Sequence, residues 1–388
     1  MINRRFVSRR DFMKCGFYWS LGVGLSSFFP ACFRQHSTMD HQEKRQKFAQ
    51  RSLRELAEAK AHHQGNGRFL NPFSTEKQGN LWRVLYWKLF DKNDFKSFYA
   101  EEPIRPVKVD WGPIEQHHGC VITYLKHGCV MIKDGHTTML VDPVLDRLMW
   151  FKDFSPFVFP LEKMPKPDHV LITHGHFDHL DTHSLSLFEK HTHVITPLGY
   201  DNIFEDLEMT NRSQLDWFEN YSEQDREIIL LPCNHWTMRN PLKGPNRSLW
   251  GSFLIKTAGG LNIYVSGDTA YFDRFRELGR QYPIDLAIFN LGAYEPRWFM
   301  AGSHINPEET AKAFAELNAR HLLVVHWGTF RLGDEPVHFP PRDIRGEMVK
   351  RGTVDRLIHL DHGQSLFYDG SRFTRSQTLP LGLLRRSG

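Results

Sequence analysis

The chain has 388 residues, 40% hydrophobic and 13% aromatic, which is enough apolar material for a sizeable core in one large domain or two. Its net charge is +4, but residues 1–31 hold five basic residues and one acidic one, so the remainder carries 44 of each sign. The remainder is therefore formally neutral, and we predict no nucleic-acid partner. The sequence has no fixed-period repeat. Past its N-terminus it also has no apolar run of eighteen residues, which argues against a membrane-spanning helix.

The first residues have the layout of a targeting segment. Residues 8–14 (SRRDFMK) precede a mildly apolar stretch from Cys15 to Phe29, and this order resembles the bacterial twin-arginine export signal. We therefore predict that residues 1–31 direct the chain through the twin-arginine export machinery to the periplasm. Cys32 ends an imperfect lipobox, which leaves a lipid anchor at this residue open. A simple N-terminal helix is the alternative interpretation of the whole segment.

Composition divides the rest of the chain into four parts. Residues 32–64 are predicted to be a charged tether or helix, and the aromatic-rich residues 65–110 an N-terminal extension packed on the main domain. Residues 111–368 form the predicted main domain, and residues 369–388 a C-terminal tail.

The cysteines are too few and too scattered for a zinc ribbon or a disulfide scaffold. They occupy positions 15, 32, 120, 129 and 233, with no C-x-x-C spacing. Cys120 and Cys129 flank one predicted strand, so a disulfide between them is open in an oxidising compartment. Buried single thiols are the preferred interpretation.

Apolar runs and turn signals predict two β-rich blocks with helices between their strands. The first block has predicted strands at 121–125, 130–133, 138–141 and 194–196, a helix at 184–191 and a polar helical region that extends to residue 226. The second block has predicted strands at 228–232, 250–257, 261–266, 285–288 and 322–325, with helices at 272–281 and 307–319. Two such halves face to face predict an α/β protein, a four-layer αβ/βα sandwich with two mixed sheets inside and helices outside.

A dense set of metal-ligand residue types follows the buried strand that ends at Ile172. His174, His176, Asp178 and His179 fall within six residues, in the pattern H-x-H-x-D-H. Imidazole and carboxylate groups are ligands of catalytic zinc and similar divalent ions, and a short loop at a strand end can direct all four inward. A histidine-rich surface loop is the alternative.

Three later residues repeat the placement beyond an apolar strand. His235 follows residues 228–232, Asp268 follows residues 261–266, and His326 follows residues 322–325. A rigid sheet can hold such donors at one edge, so seven donors spread over about 150 residues can converge on one site.

This constellation resembles the metallo-β-lactamase fold superfamily. The resemblance implies a first metal ion bound by His174, His176 and His235. It implies a second ion bound by Asp178, His179 and His326, with the Asp268 carboxylate bridging both. The implied cofactors are two divalent ions; Zn2+ is expected, and Mn2+ and Fe2+ are open alternatives.

Within the superfamily, the chain resembles the N-acyl-phosphatidylethanolamine-hydrolysing phospholipase D group over residues 65–368. The segments that carry this resemblance are RFLNP (68–72), NHW (234–236), SLWG (248–251), GDT (267–269), GAYEPRWFM (292–300), NPEE (306–309) and HWGTF (326–330). The chain departs from the group at KHGC (126–129), where Gly-His-Ala-Thr is usual. This departure puts the fine substrate preference in doubt.

The resemblance implies a dinuclear phosphodiesterase that acts on a phospholipid or another phosphodiester through a hydroxide bridging the ions. Asp268 would orient that hydroxide and accept its proton, and His304 would contact the phosphate or protonate the leaving alkoxide. Asp142 and Asp181 are candidates to fix histidine tautomers, and Asp142 has turn capping as its alternative. The predicted substrate-binding residues are Tyr271, Arg297, Trp298, Phe299 and Met300.

Two other functions stay open at this stage. One is a lactonase, or another hydrolase of the same fold, acting on a small phosphorylated substrate. The other is a metal-binding or lipid-binding protein without catalysis, which the complete set of seven ligands disfavours. Peripheral membrane association and a homodimer are open for a lipid enzyme.

Overall fold

The computed structural model describes residues 48, 50–74, 86, 87, 90, 92–99, 104–149, 151–157, 161–240 and 242–376. The predicted export signal, Cys32 and residues 377–388 of the predicted tail lie outside this set. Among the described residues, no helix is both long and apolar enough to cross a bilayer.

Fifteen strands are present in the described residues. In chain order they are β1 (Cys120–Lys126), β2 (Cys129–Asp134), β3 (Thr137–Val141), β4 (His169–Leu171), β5 (His193–Pro197), β6 (Arg212–Leu215), β7 (Asn220–Glu223), β8 (Arg226–Leu231), β9 (Ser252–Lys256), β10 (Asn262–Val265), β11 (Leu286–Asn290), β12 (His321–Val325), β13 (Leu357–Ile358), β14 (Ser365–Tyr368) and β15 (Phe373–Arg375).

Eight α-helices connect or flank these strands in the same part of the chain. They are α1 (Leu53–Glu58), α2 (Trp111–Gln116), α3 (Thr182–Leu185), α4 (Asp201–Asp206), α5 (Phe275–Gln281), α6 (Arg297–Met300), α7 (Pro307–Glu316) and α8 (Phe339–Lys350). Short 3-10 turns lie at Lys96–Phe98, Leu161–Lys163 and Val354–Arg356.

The strands form two mixed sheets. The first has the order β15-β14-β1-β2-β3-β4-β5-β6, antiparallel from β15 to β3 and parallel from β3 to β6. The second has the order β13-β12-β11-β10-β9-β8-β7, parallel from β13 to β10 and antiparallel from β10 to β7. This architecture confirms the predicted fold class.

Alternation along the strands explains the layers. Leu171 of β4 joins the core cluster shared by both sheets, whereas its neighbour Val170 packs with Leu185 of α3 and Phe204 of α4. Successive side chains of a strand point to opposite faces, so one face meets the other sheet and one meets helices. Both faces are therefore covered, and a strand such as β1 is buried along its whole length.

The prediction of a polar helical region up to residue 226 was wrong in part. Only α4 is helical there, and β6 and β7 follow it. Both are edge strands with polar, partly exposed side chains, so they lack the apolar alternation that marks a strand in sequence. The helix α8 and the strands after it were not predicted.

The N-terminal part of the described chain is fastened to the second half. The Asp216 carboxylate lies 2.5 Å from Nε2 of His62 and 2.7 Å from Nε2 of His63, and the Lys60 ammonium lies 2.6 Å away. The lysine already neutralises this carboxylate, so the cluster attaches the segment rather than forming a cation site. Farther along, Asn71 donates to the backbone oxygen of His235 at 2.7 Å.

The three cysteines in the described residues, Cys120, Cys129 and Cys233, are buried and unpaired. Burial raises the pKa of each thiol. The disulfide between Cys120 and Cys129 that the sequence left open does not form here, because the two residues lie at opposite ends of the β1–β2 hairpin.

Candidate metal centre

The carboxyl ends of several parallel strands meet at one edge of the sandwich, where loops can present ligands. The loop after β4 carries His174 and His176, and the segment after β8 carries His235. Nδ1 of His176 lies 3.0 Å from Nε2 of His174 and 3.2 Å from Nε2 of His235. These three buried or half-buried imidazoles converge on one point and form what we term the first set.

The second set consists of Asp178, His179 and His326. Nε2 of His179 lies 3.2 Å from Nε2 of His326, and Oδ2 of Asp178 lies 3.5 Å from each of these nitrogens. His326 follows β12, so residues almost 150 positions apart in the sequence meet here.

Asp268, which follows β10, lies between the two sets. Its Oδ2 is 3.2 Å from Nε2 of His179 and 3.9 Å from Nε2 of His174, and its Oδ1 is 3.4 Å from Nε2 of His326. Asn290, at the end of β11, donates to Oδ1 at 2.9 Å. The carboxylate thus faces donors of both sets.

The donor separations fit divalent metal ions. Two imidazole nitrogens that bind one tetrahedral zinc ion at about 2.05 Å are about 3.3 Å apart. The nitrogen pairs within the first and second sets are 3.0 to 3.2 Å apart. The chemistry also fits, since imidazole and carboxylate are ligands that zinc and similar ions take.

Hydrogen bonds behind the ligands orient two of the imidazoles. Oδ2 of Asp142 lies 2.8 Å from Nδ1 of His179 and accepts from the Thr173 hydroxyl at 2.6 Å, and that hydroxyl is 3.0 Å from Nδ1 of His174. A carboxylate that accepts from a ligand histidine fixes its tautomer and increases its basicity. Asp142 therefore has the contact proposed for it in the sequence, beyond any role in a turn.

Asp181 does not have the proposed contact. Its carboxylate caps α3 and accepts from the backbone nitrogens of His183 and Ser184, so we correct its assignment from tautomer control to helix capping. The backbone oxygen of Ser303 instead faces a ligand, and it lies 3.0 Å from Nδ1 of His235.

The first set is electrically neutral. Burial lowers the pKa of His174 and His235 well below the usual range and lowers the pKa of His176 to about 4. A buried imidazole resists protonation because its charged form loses hydration. The set thus holds the neutral form that binds a metal at physiological pH.

The second set is charged. Burial acts to lower the pKa of His179, but the carboxylates of Asp268, Asp178 and Asp142 raise it well above the usual value. Burial acts to raise the pKa of Asp178 and Asp268, but His179 and the other nearby histidines hold both well below the usual range. Without a metal, a proton on His179 offsets one of these two negative charges.

His304 lies close to the cluster, as predicted from the sequence. Its Nδ1 is 3.8 Å from Oδ2 of Asp268, and its ring centre is 5.6 Å from that of His235. Burial lowers the pKa of His304. The backbone oxygen of His304 accepts from Arg297 at 2.9 Å, which fixes the loop that carries it.

Four of the five predicted substrate-binding residues divide into two groups. Trp298, Phe299 and Met300 cluster with Trp87 in an apolar patch, where the Trp87 ring centre is 6.0 Å from that of Trp298 and 5.5 Å from that of Phe299. The guanidinium of Arg297 instead makes a two-point contact with Glu309, at 2.9 and 3.1 Å. The positive charge of Arg297 is therefore neutralised by the Glu309 carboxylate of the same chain.

The side chain of Tyr271, also predicted to bind substrate, contacts charged residues of a helix. Its hydroxyl donates to Glu316 at 2.9 Å, and the Lys312 ammonium lies 4.3 Å from its ring centre. These partners belong to α7, so the described contacts of this side chain attach the loop after β10 to that helix.

Two residues near the cluster were missed as functional candidates. His127, in the β1–β2 turn, lies 3.0 Å from Asp178, and Asn290 contacts Asp268. Both stand at the end of an apolar strand, the placement that identified the other ligands. His127, Asp142 and His326 have φ values of 49°, 42° and 71°, a backbone region that is uncommon for non-glycine residues.

Comparison with known proteins agrees with this geometry. The sequence profile described as beta-lactamase superfamily domain matches residues 137–327, which include the whole cluster. The chain has the metallo-β-lactamase fold. Its fold is similar to that of isothiocyanate hydrolase from Delia radicum gut bacteria, with a TM-score of 0.53, 15% identity, and coverage of 64% of this chain and 99% of the other.

Two sequence relatives are more similar. Mitochondrial N-acyl-phosphatidylethanolamine-hydrolyzing phospholipase D of Saccharomyces cerevisiae is 29% identical over 356 residues, which cover 78% of this chain and 76% of the relative. N-acyl-phosphatidylethanolamine-hydrolyzing phospholipase D 1 of Caenorhabditis elegans is 28% identical over 314 residues, covering 73% and 87%. This metallo-β-lactamase-fold protein is thus a metal-dependent hydrolase with a His/Asp metal-binding cluster.

Proposed function

We propose that the protein is a dinuclear metal-dependent phosphodiesterase of phospholipase D type, acting on lipids like N-acyl-phosphatidylethanolamine. The observation that carries this proposal is a pair of apolar clusters with half-buried aromatic side chains, which adjoins a site with donors for two ions. The relatives named as phospholipases support the substrate class.

The two apolar clusters share the half-buried Leu332. In one, Trp87, Ala293 and Met300 are buried and Trp298 and Phe299 are half-buried; in the other, Val144, Leu148 and Phe330 are buried and Met149, Phe151 and Phe177 are half-buried. Phe177 stands between two ligands in the sequence, and the Phe330 ring lies 5.1 Å from that of His127. The half-buried side chains can contact acyl chains while the phosphodiester reaches the donors.

His174, His176 and His235 would hold one divalent ion and Asp178, His179 and His326 the other, and these ions would supply water of lowered pKa and polarise the phosphoryl oxygens. Asp268 lies between donors of the two sets, and its low pKa means that it would orient that water and pass the proton on rather than keep it. The neutral His304 can take up this proton at Nδ1, 3.8 Å from Oδ2 of Asp268, and give one to the departing head-group oxygen as the P–O bond breaks. Arg297 holds the loop that carries His304 through the backbone oxygen of that residue. Its charge is paired with Glu309, so the metal ions, and not this guanidinium, would neutralise the phosphate.

The test is an activity assay of the purified, metal-loaded protein, which measures its rate of hydrolysis of N-acyl-phosphatidylethanolamine, of soluble phosphodiesters and of lactones. Asp268→Asn keeps the side-chain shape but removes the basic oxygen, so turnover should fall on the order of a hundredfold or more. Substrate binding should change less, because the proposed lipid contacts come from the half-buried side chains of the apolar clusters. Asp181→Asn is the matched control, since it makes the same chemical change at a helix cap.

Other outcomes would redirect the proposal. Weaker binding with normal turnover in Asp268→Asn would contradict the role of this carboxylate. Hydrolysis of lactones alone, by protein with two ions present, would indicate a lactonase. No hydrolysis of any substrate class by that protein would favour a binding protein.

A further inference from the structure

His127 sits in an unusual backbone position beside the second set. It occupies the turn between β1 and β2 with φ 49°, and its side chain is fully buried. Its backbone nitrogen donates to the Thr329 hydroxyl at 2.8 Å, and its oxygen accepts from the backbone nitrogen of His326 at 2.7 Å. Such a conformation persists only where the surroundings hold it, and here the segment that carries a metal-ligand candidate does so.

The His127 ring also faces the second set. Nε2 lies 3.0 Å from Oδ2 of Asp178, and the ring centre lies 3.9 Å from that of His326 and 5.6 Å from that of His179. The Phe330 ring covers it at 5.1 Å. The imidazole is thus held on several sides and cannot turn freely away from Asp178.

The hydrogen bonding assigns the proton of this imidazole to Nε2. Nδ1 is buried and has no hydrogen-bond partner among the described residues. A buried N–H without an acceptor is rarer in proteins than an acceptor without a donor. With the proton on Nε2, His127 donates to Asp178 and has no lone pair there to offer a metal.

We propose that His127 is a positioning residue for the second ion. Its Nε2–H holds the Asp178 carboxylate so that Oδ2 stays directed at the nitrogens of His179 and His326, 3.5 Å from each. A group that orients a ligand in this way typically contributes about 10- to 100-fold to metal affinity. The inference rests on the proposed two-ion centre and does not depend on the substrate.

The test compares two amide variants, His127→Gln and His127→Asn. The Gln amide nitrogen reaches about as far as the imidazole Nε2 and can donate to Asp178, whereas the Asn amide is one methylene too short. Asn tolerates positive φ, so its loss of function would not come from backbone strain. Neither amide replaces imidazole as a zinc ligand. His193→Asn, a buried histidine at the start of β5, is the control for removing a buried imidazole.

The readout is Zn2+ affinity at equilibrium, measured by competition with a chromophoric chelator. We expect His127→Asn to weaken the second ion about 10- to 100-fold and to leave the first unchanged, with His127→Gln close to wild type. Equal weakening by Gln and Asn would overturn the hydrogen-bond role and indicate ligation or packing. Weakening of both ions alike, or of neither, would also overturn it. A wild-type protein that binds one ion would instead refute the two-ion centre itself.

Discussion

The two halves of the candidate centre are built on different principles. The first set has three imidazoles, and burial keeps them neutral. In the second set His179 is in contact with the carboxylates of Asp142, Asp178 and Asp268, which raise its pKa. The difference teaches that the first set can bind a metal ion in the protonation state it has in the folded protein. In the second set, His179 must lose its proton when the ion binds.

The largest effect should come from removing one ligand of each set. His235→Ala should lose the ion of the first set and His326→Ala the ion of the second, because each deletes one of three donors. Elemental analysis should give about two ions per chain for wild type and about one for each variant. A His326→Ala protein that retains both ions would contradict the division into two sets.

Acid should destabilise the metal-free protein through the first set. His176 has a pKa of about 4 in the folded protein, against an ordinary value of 6.5, so below pH 6.5 the unfolded chain takes up a proton that the folded one refuses. Stability should therefore fall as the pH falls from about 6.5 to about 4, by about 3 kcal/mol for this residue alone. His179 does not cancel this loss, since a raised pKa contributes stability that is fully present below pH 6.5 and is lost only at higher pH.

Denaturant unfolding of chelator-treated protein at pH 7, 5 and 4 measures this effect. His176→Asn removes one of the titrating groups and should reduce the dependence by the share of His176, leaving the part that comes from His174 and His235. A wild-type stability that is constant over this range would show that the first set is not held neutral by burial.

The smallest effect should come from the half-buried side chains of the apolar clusters next to the centre. Trp298→Ala removes part of the patch around Trp87 and should raise KM for a long-chain lipid about 3- to 10-fold, with kcat and metal content unchanged. KM for a soluble phosphodiester should stay the same. Val349→Ala, an exposed apolar residue on α8, is the control. An equal change for both substrates would mean that the patch does not bind acyl chains.

Much of the centre could be predicted because its donors obey a local rule. Each follows an apolar strand, as Asp268 follows β10 and His326 follows β12, and strand periodicity is written in the sequence. The fold class came from the same pattern. The edge strands β6 and β7 escaped it, because most of their side chains are polar and only partly buried, so no apolar alternation marks them in the sequence.

The roles of the polar and charged side chains around the ligands depended on their hydrogen-bond partners. Some of these partners are distant in the sequence, and others are nearby backbone groups that take the place of the expected partner. The sequence determined that Arg297, Asp181 and His127 are present, but only the fold decided what each one meets. Arg297 pairs with Glu309 of α7, Asp181 caps α3 rather than turning to a histidine, and His127 reaches Asp178 across 51 positions. A charged or polar group takes whichever partner the packed chain brings within hydrogen-bond distance, and residue type and spacing do not specify that partner.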